Sequence, residues 1–257
     1  MIKLYAFGDS WMVGHKGDFY KHFLERNETP THNMKDYGEY ENYLKNTTSV
    51  PALLSKYYNL ELVNSASGGS GNFPQLDKLF RLLTLGKISK NDIVFFGLTS
   101  TYRDRSCMGR SGYVEDVLRP DMGEFIVDRD LFKNQTNELM IYDHFLLLST
   151  LEKLQQVYNF KLLVMNLWNN PINDLQFLHD CKWKSLMGGE FLTNTWYDII
   201  RENYGNAGSS FWCSPETLDE KFKNLMAWDH HPNQLGYEKI VTWFINNRII
   251  SNLIDDE

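Results

Sequence analysis

Apolar and polar positions divide the chain into two kinds of run. Short, nearly unbroken apolar stretches occur at residues 2–7, 60–64, 92–97 and 161–167. Runs of this length without alternation are how strands covered on both faces read, so each predicts a buried, parallel strand. Between them, apolar residues recur at helical spacing. Leu76, Leu79, Phe80 and Leu83 predict a helix over 73–85, closed by Gly86. Met140, Phe145, Leu148, Leu151, Leu154 and Val157 predict a longer one over 135–158. Ser49 and Pro51 mark the start of a helix over 52–58 that ends near Asn59. Tyr237, Ile240, Val241, Phe244 and Ile245 predict a last amphipathic helix over 234–250, capped by Asn233.

Strands alternating with helical runs predict an α/β fold with a mainly parallel sheet of four to five strands, the fifth near 209–213. A chain of 257 residues is expected to form one domain, 1–257. Three stretches interrupt the pattern and read as insertions: 13–48, 101–134 and 168–226. The first is polar, charged and aromatic, with periodicity only around Phe19 to Arg26. It is a candidate lid or substrate wall, or a plain surface excursion. The third holds candidate helices near 175–181 and 196–203 and a Gly/Ser-rich turn at 205–210.

Composition narrows the partners. A net charge of −7 argues against a nucleic-acid partner, because phosphate binding wants a basic surface. No apolar run approaches a membrane span, and no leader pattern opens the chain, so a cytoplasmic location is expected. Cys107, Cys181 and Cys213 are scattered and odd in number, which suggests reduced thiols and no structural zinc. Seven Trp and fourteen Tyr imply either a large aromatic core or a sugar-stacking surface. Nothing in the composition speaks to oligomeric state.

Candidate chemistry lies at the strand ends. Gly8-Asp9-Ser10 follows the first strand and places Ser10 at its carboxyl end, the edge where open α/β sheets bind ligands. Asn64-Ser65-Ala66-Ser67-Gly68-Gly69-Ser70-Gly71-Asn72 follows the second; no GK[ST] completes it, so it is not a phosphate loop. Gly97-Leu98-Thr99 follows the third, and Trp228-Asp229-His230-His231-Pro232-Asn233 precedes the last helix. A serine hydroxyl needs a base to take its proton and an acid to orient that base, and the last block supplies both. Pro232 biases His231 towards extended geometry. In an extended Asp229–His231 segment alternate side chains share a face, so His231 and not His230 is expected to face Asp229.

In these four blocks and their order, the chain resembles the SGNH (GDSL-type) hydrolase family. The resemblance implies a three-layer α/β/α fold with a flavodoxin-like sheet and a serine-dependent ester hydrolase. Ser10 would be the nucleophile, His231 the base and Asp229 its orienting acid. The oxyanion hole would comprise the backbone N–H groups of Ser10 and Gly69 and the Thr99 hydroxyl. Two departures stand out: Thr99 occupies the place of the family's Asn donor, and one residue rather than two separates Asp229 from His231. The family resemblance implies removal of a small acyl group such as acetyl from a carbohydrate or other small ester. The block forms are closest to bacteriophage-encoded members, which implies virion association as the alternative to a cytoplasmic location. No cofactor and no metal are expected. Two other readings stand beside it. One is a glycan-binding module that has lost turnover; the other is a metal-dependent phosphoesterase with Asp9, Asp229, His230 and His231 as ligands.

Overall fold

The computed structural model of the chain describes residues 1–14, 34–99, 137–167, 190–192, 196, 199, 225 and 231–255. Five strands form one sheet: β1 (Lys3–Phe7), β2 (Glu61–Asn64), β3 (Ile93–Leu98), β4 (Lys161–Asn166) and β5 (Glu190–Leu192). Their order is β2-β1-β3-β4-β5, and every pairing is parallel. The first four are the strands expected from apolar runs. The fifth, Glu190–Leu192, pairs with Leu163 to Met165 of β4. The stretch 209–213, where the sequence predicts it, lies outside the described residues.

Alternate strand residues feed two cores, because successive side chains leave a strand on opposite faces. Leu4, Ala6, Ile93, Phe95, Leu163 and Met165 enter one. Tyr5, Phe7, Val94, Phe96, Leu162 and Val164 enter the other. The first core is covered by α1 (Ser10–Val13), α2 (Met34–Thr47), α3 (Val50–Tyr58), α6 (Gln234–Asn246) and α7 (Ile249–Asp255). The second is covered by α4 (Asn72–Thr84) and α5 (Asn137–Tyr158). This is a three-layer α/β/α fold. The connection from β1 to β2 runs over one face and that from β2 to β3 over the other. The strand order therefore switches at β1, and the crevice of such a sheet opens at the carboxyl end of that strand.

Two helices differ from the sequence expectation. Residues 34–47, inside the stretch read as an insertion beside Ser10, form the 14-residue helix α2, with Tyr40 and Leu44 buried in the first core. Met34, Tyr37, Tyr40 and Leu44 do recur at helical spacing, but charged and amide residues crowd the pattern on every other side. The expected single helix over 234–250 is two helices, broken at Asn247 and Arg248, where Arg248 takes a left-handed φ of 56°. The break lets Ile249, Ile250 and Leu253 join the core. By contrast α3 follows its signals: Ser49 accepts the Ala52 N–H at 3.2 Å, and Asn59 ends the helix at φ 54°.

Gly8 turns the chain out of β1 at a φ of 152°, in a space with no room for a side chain. A Cβ there would sit 2.6 Å from Met12 Cγ and 3.0 Å from the Gly97 carbonyl oxygen. Gly8→Ala is expected to destabilise the fold by roughly 2–4 kcal/mol, from backbone strain and overpacking together. Urea denaturation measures it; a loss below half a kcal/mol would mean that the turn tolerates a side chain.

Candidate active site

Ser10 opens a single helical turn at the carboxyl end of β1. Asp9, and not the serine, caps that turn: its Oδ1 accepts the Trp11 N–H at 2.9 Å. Trp11, Met12 and Val13 are all fully buried. Burial of such side chains contributes about 1.5–3 kcal/mol each, so the turn carrying Ser10 is anchored from below. Asn64, at the end of β2, adds a tie by donating to the Met12 carbonyl at 3.0 Å while its oxygen accepts the Ala66 N–H at 3.1 Å.

The Gly/Ser-rich loop after β2 is fastened to the same turn. The Ser67 N–H donates to the Gly8 carbonyl at 3.1 Å, and the Gly8 N–H donates to Gln75 Oε1 at 3.4 Å. Gln75 Nε2 in turn donates to Ser70 Oγ at 2.8 Å. Lys78 reaches back from α4 to the Ser65 carbonyl at 3.0 Å and Ser67 Oγ at 2.6 Å. Its half-burial, with the nearby Lys45 charge, holds the ammonium below the usual lysine range. Gly69 lies on this loop in the left-handed region, at φ 69°, with nothing within 4 Å of where a Cβ would project.

Thr99 follows β3 and is 3% exposed. Its hydroxyl, expected to aim at a substrate oxyanion, instead donates to Asp9 Oδ2 at 2.7 Å. A hydroxyl has one proton to donate, and here it points to Asp9. The Thr99 backbone is gripped from α4: its N–H donates to Asn72 Oδ1 at 2.8 Å and its carbonyl accepts from Asn72 Nδ2 at 3.0 Å. Asn72 and Gln75 are each 1% exposed. The sequence reading gave neither a role. The available signal was their spacing, since 72, 75, 79 and 83 fall on one helical face with buried Leu79 and Leu83.

His231 meets Ser10. Its Nε2 lies 2.7 Å from Ser10 Oγ, across 221 residues of chain. With the ring proton on Nδ1, Nε2 accepts the serine hydroxyl. The Trp11 ring packs beside the imidazole, with centroids 6.1 Å apart. The segment is held on its other side by α6, whose cap Asn233 accepts the Gly236 N–H at 3.0 Å and donates its own N–H to the Leu225 carbonyl at 2.9 Å. Gly236 permits this approach, because a Cβ would run into the Leu225 carbonyl oxygen. Asp229 and His230 lie outside the described residues.

The described aromatics behind the site belong to the core. Trp11, Trp196, Phe95, Tyr237 and Phe244 form a connected, buried cluster. Among the described residues no group of three or more His, Cys, Asp or Glu is placed to hold a metal ion. No described helix is long and apolar enough to cross a membrane.

No family profile matches the chain, and no curated protein matches it. Solved structures do resemble it. A G-D-S-L family protein from Desulfitobacterium hafniense DCB-2 is 13% identical, with a TM-score of 0.48 over 96% of this chain and 99% of that chain. The psychrotrophic esterase EstA from Pseudoalteromonas sp. is 12% identical, with a TM-score of 0.45 over 100% of both chains. LAE5, an alpha/beta hydrolase enzyme from the metagenome of Lake Arreo, Spain, is 14% identical, with a TM-score of 0.48 over 99% of this chain and 97% of that chain.

Proposed function

We propose that the chain is a serine-dependent ester hydrolase of the SGNH type. The observation that carries this reading is the 2.7 Å contact between Ser10 Oγ and His231 Nε2 at the carboxyl end of β1. Neutral His231 takes the hydroxyl proton as Ser10 attacks the acyl carbon, and returns it to the leaving alcohol; water then releases the acyl group by the same route. Asp229 holds the imidazole tautomer. The backbone N–H groups of Ser10 and Gly69 face the oxyanion, the first from a helix N-terminus whose dipole favours negative charge. The substrate class proposed is a small acyl ester, acetyl-like, on a carbohydrate or comparable alcohol.

A fluorophosphonate probe followed by peptide mapping tests the proposal. The expected result is one covalent adduct on Ser10, formed equally well in the presence of a chelator. An unlabelled protein that still binds glycans would instead support a binding module. Loss of activity to the chelator would support the metal-dependent phosphoesterase.

A further inference from the structure

We propose that Asn72, Thr99 and Asp9 form a buried positioning relay that sets Ser10 and His231, so that Thr99 serves hydrolysis through Asp9 and not by touching substrate. The proposal rests on the serine-hydrolase reading. The relay starts at α4, where the Asn72 side chain makes two bonds to the Thr99 backbone, at 2.8 and 3.0 Å. A two-point grip fixes the orientation of Thr99 just past the end of β3. The Thr99 hydroxyl then reaches Asp9 Oδ2 at 2.7 Å, and Asp9 Oδ1 takes the Trp11 N–H at 2.9 Å. Both oxygens of a fully buried carboxylate are thereby engaged, one from 90 residues away and one from the nucleophile's own helical turn.

The chemistry favours positioning over direct contact. A carboxylate removed from water needs hydrogen-bond donors, and the Thr99 hydroxyl is one of them. Turning that hydroxyl towards a substrate oxygen would strip Asp9 of a donor. Leaving it in place presents only lone pairs, which repel an oxyanion. What the relay controls is geometric. Asp9 precedes Ser10, and it caps the backbone of Trp11, whose ring packs beside His231. One carboxylate thus touches the frame of the nucleophile directly and that of the base through Trp11. Small displacements of such groups cost large factors in rate.

The test is a double-mutant cycle read in kcat and KM for p-nitrophenyl acetate and in the rate of fluorophosphonate labelling. Thr99→Val is expected to lower kcat by about tenfold or more with KM little changed, and Thr99→Ser to restore most of it. Asp9→Ser keeps a cap for Trp11 but removes the Thr99 acceptor. In that background Thr99→Val should cost no more than about twofold, because the link is already cut. Independent, multiplying losses would overturn the relay and make Thr99 a direct donor, and a loss carried by KM would overturn it in favour of a ground-state contact with substrate. An unchanged rate in Thr99→Val also overturns it. If Asp9→Ser fails to fold, Asn72→Ala serves as the second background, with the same less-than-multiplicative expectation. A wild-type protein that the probe leaves unlabelled overturns the hydrolase reading and the relay with it. A labelled wild type with multiplying losses overturns the relay alone.

Discussion

Ser10→Ala is expected to leave no measurable hydrolysis of a small activated ester while barely changing stability. The serine is 7% exposed, and the bond its hydroxyl makes is to His231 at 2.7 Å. Removing one oxygen therefore creates little cavity and forfeits one hydrogen bond, about 0.5–1.5 kcal/mol. Alanine is also the better helix former in the turn that Ser10 opens, which offsets part of that loss. Catalysis has no such compensation, since no methyl group can attack an acyl carbon. Steady-state turnover and a urea melt on the same preparation separate the two effects. Turnover at a tenth of wild type or above would remove Ser10 as the nucleophile.

His231→Asn is expected to lower kcat on the order of a thousandfold or more, the scale of losing the base that activates a hydroxyl. Asparagine fills part of the imidazole's space and keeps a hydrogen-bonding group, but it cannot take a proton. His230→Asn is expected to cost little. Pro232 favours an extended backbone at His231, and alternation along an extended segment turns neighbouring side chains apart. Measured kcat values for the two variants settle the assignment, and a larger loss in the His230 variant would move the base to that residue.

Strands β1, β3 and β4 were legible because they are covered on both faces, and such strands are apolar at almost every position, whereas the three-residue β5 is too short to leave such a run. Helix α3 was legible for a different reason, its local stop and start chemistry at Ser49, Pro51 and Asn59. Elsewhere the signal is weaker. Helix α2 sets Met34, Tyr37, Tyr40 and Leu44 at helical spacing among crowded charges, and Asn246 and Asn247 are faint marks of the break before Arg248, which lets three apolar residues turn inward.

The candidate site divides in the same way. Ser10 and His231 stood out because hydroxyl, imidazole and proline at strand and helix ends have specific chemical uses. The direction of the Thr99 proton did not, because it depends on the burial of a carboxylate 90 residues away. Asn72 closes a run of glycines and serines and Gln75 falls in the predicted helix, on the face of Leu79 and Leu83, where amides have no evident chemical use. Only their burial shows that they knit the loops together, and burial is a property of the assembled molecule.

The 221-residue span of the Ser10–His231 contact has a consequence for the order of events during synthesis. The serine leaves the ribosome long before the histidine, and its strand waits for β2 and β3 before it can pair. Long-range parallel pairing of this kind is slow, so partly folded chains persist. On the proposed mechanism those chains carry a serine with no base, and are chemically silent. Reactivity arrives only when α6 docks and brings the histidine, so acylation by a probe during translation would time the closure of the whole fold and not merely the formation of its sheet.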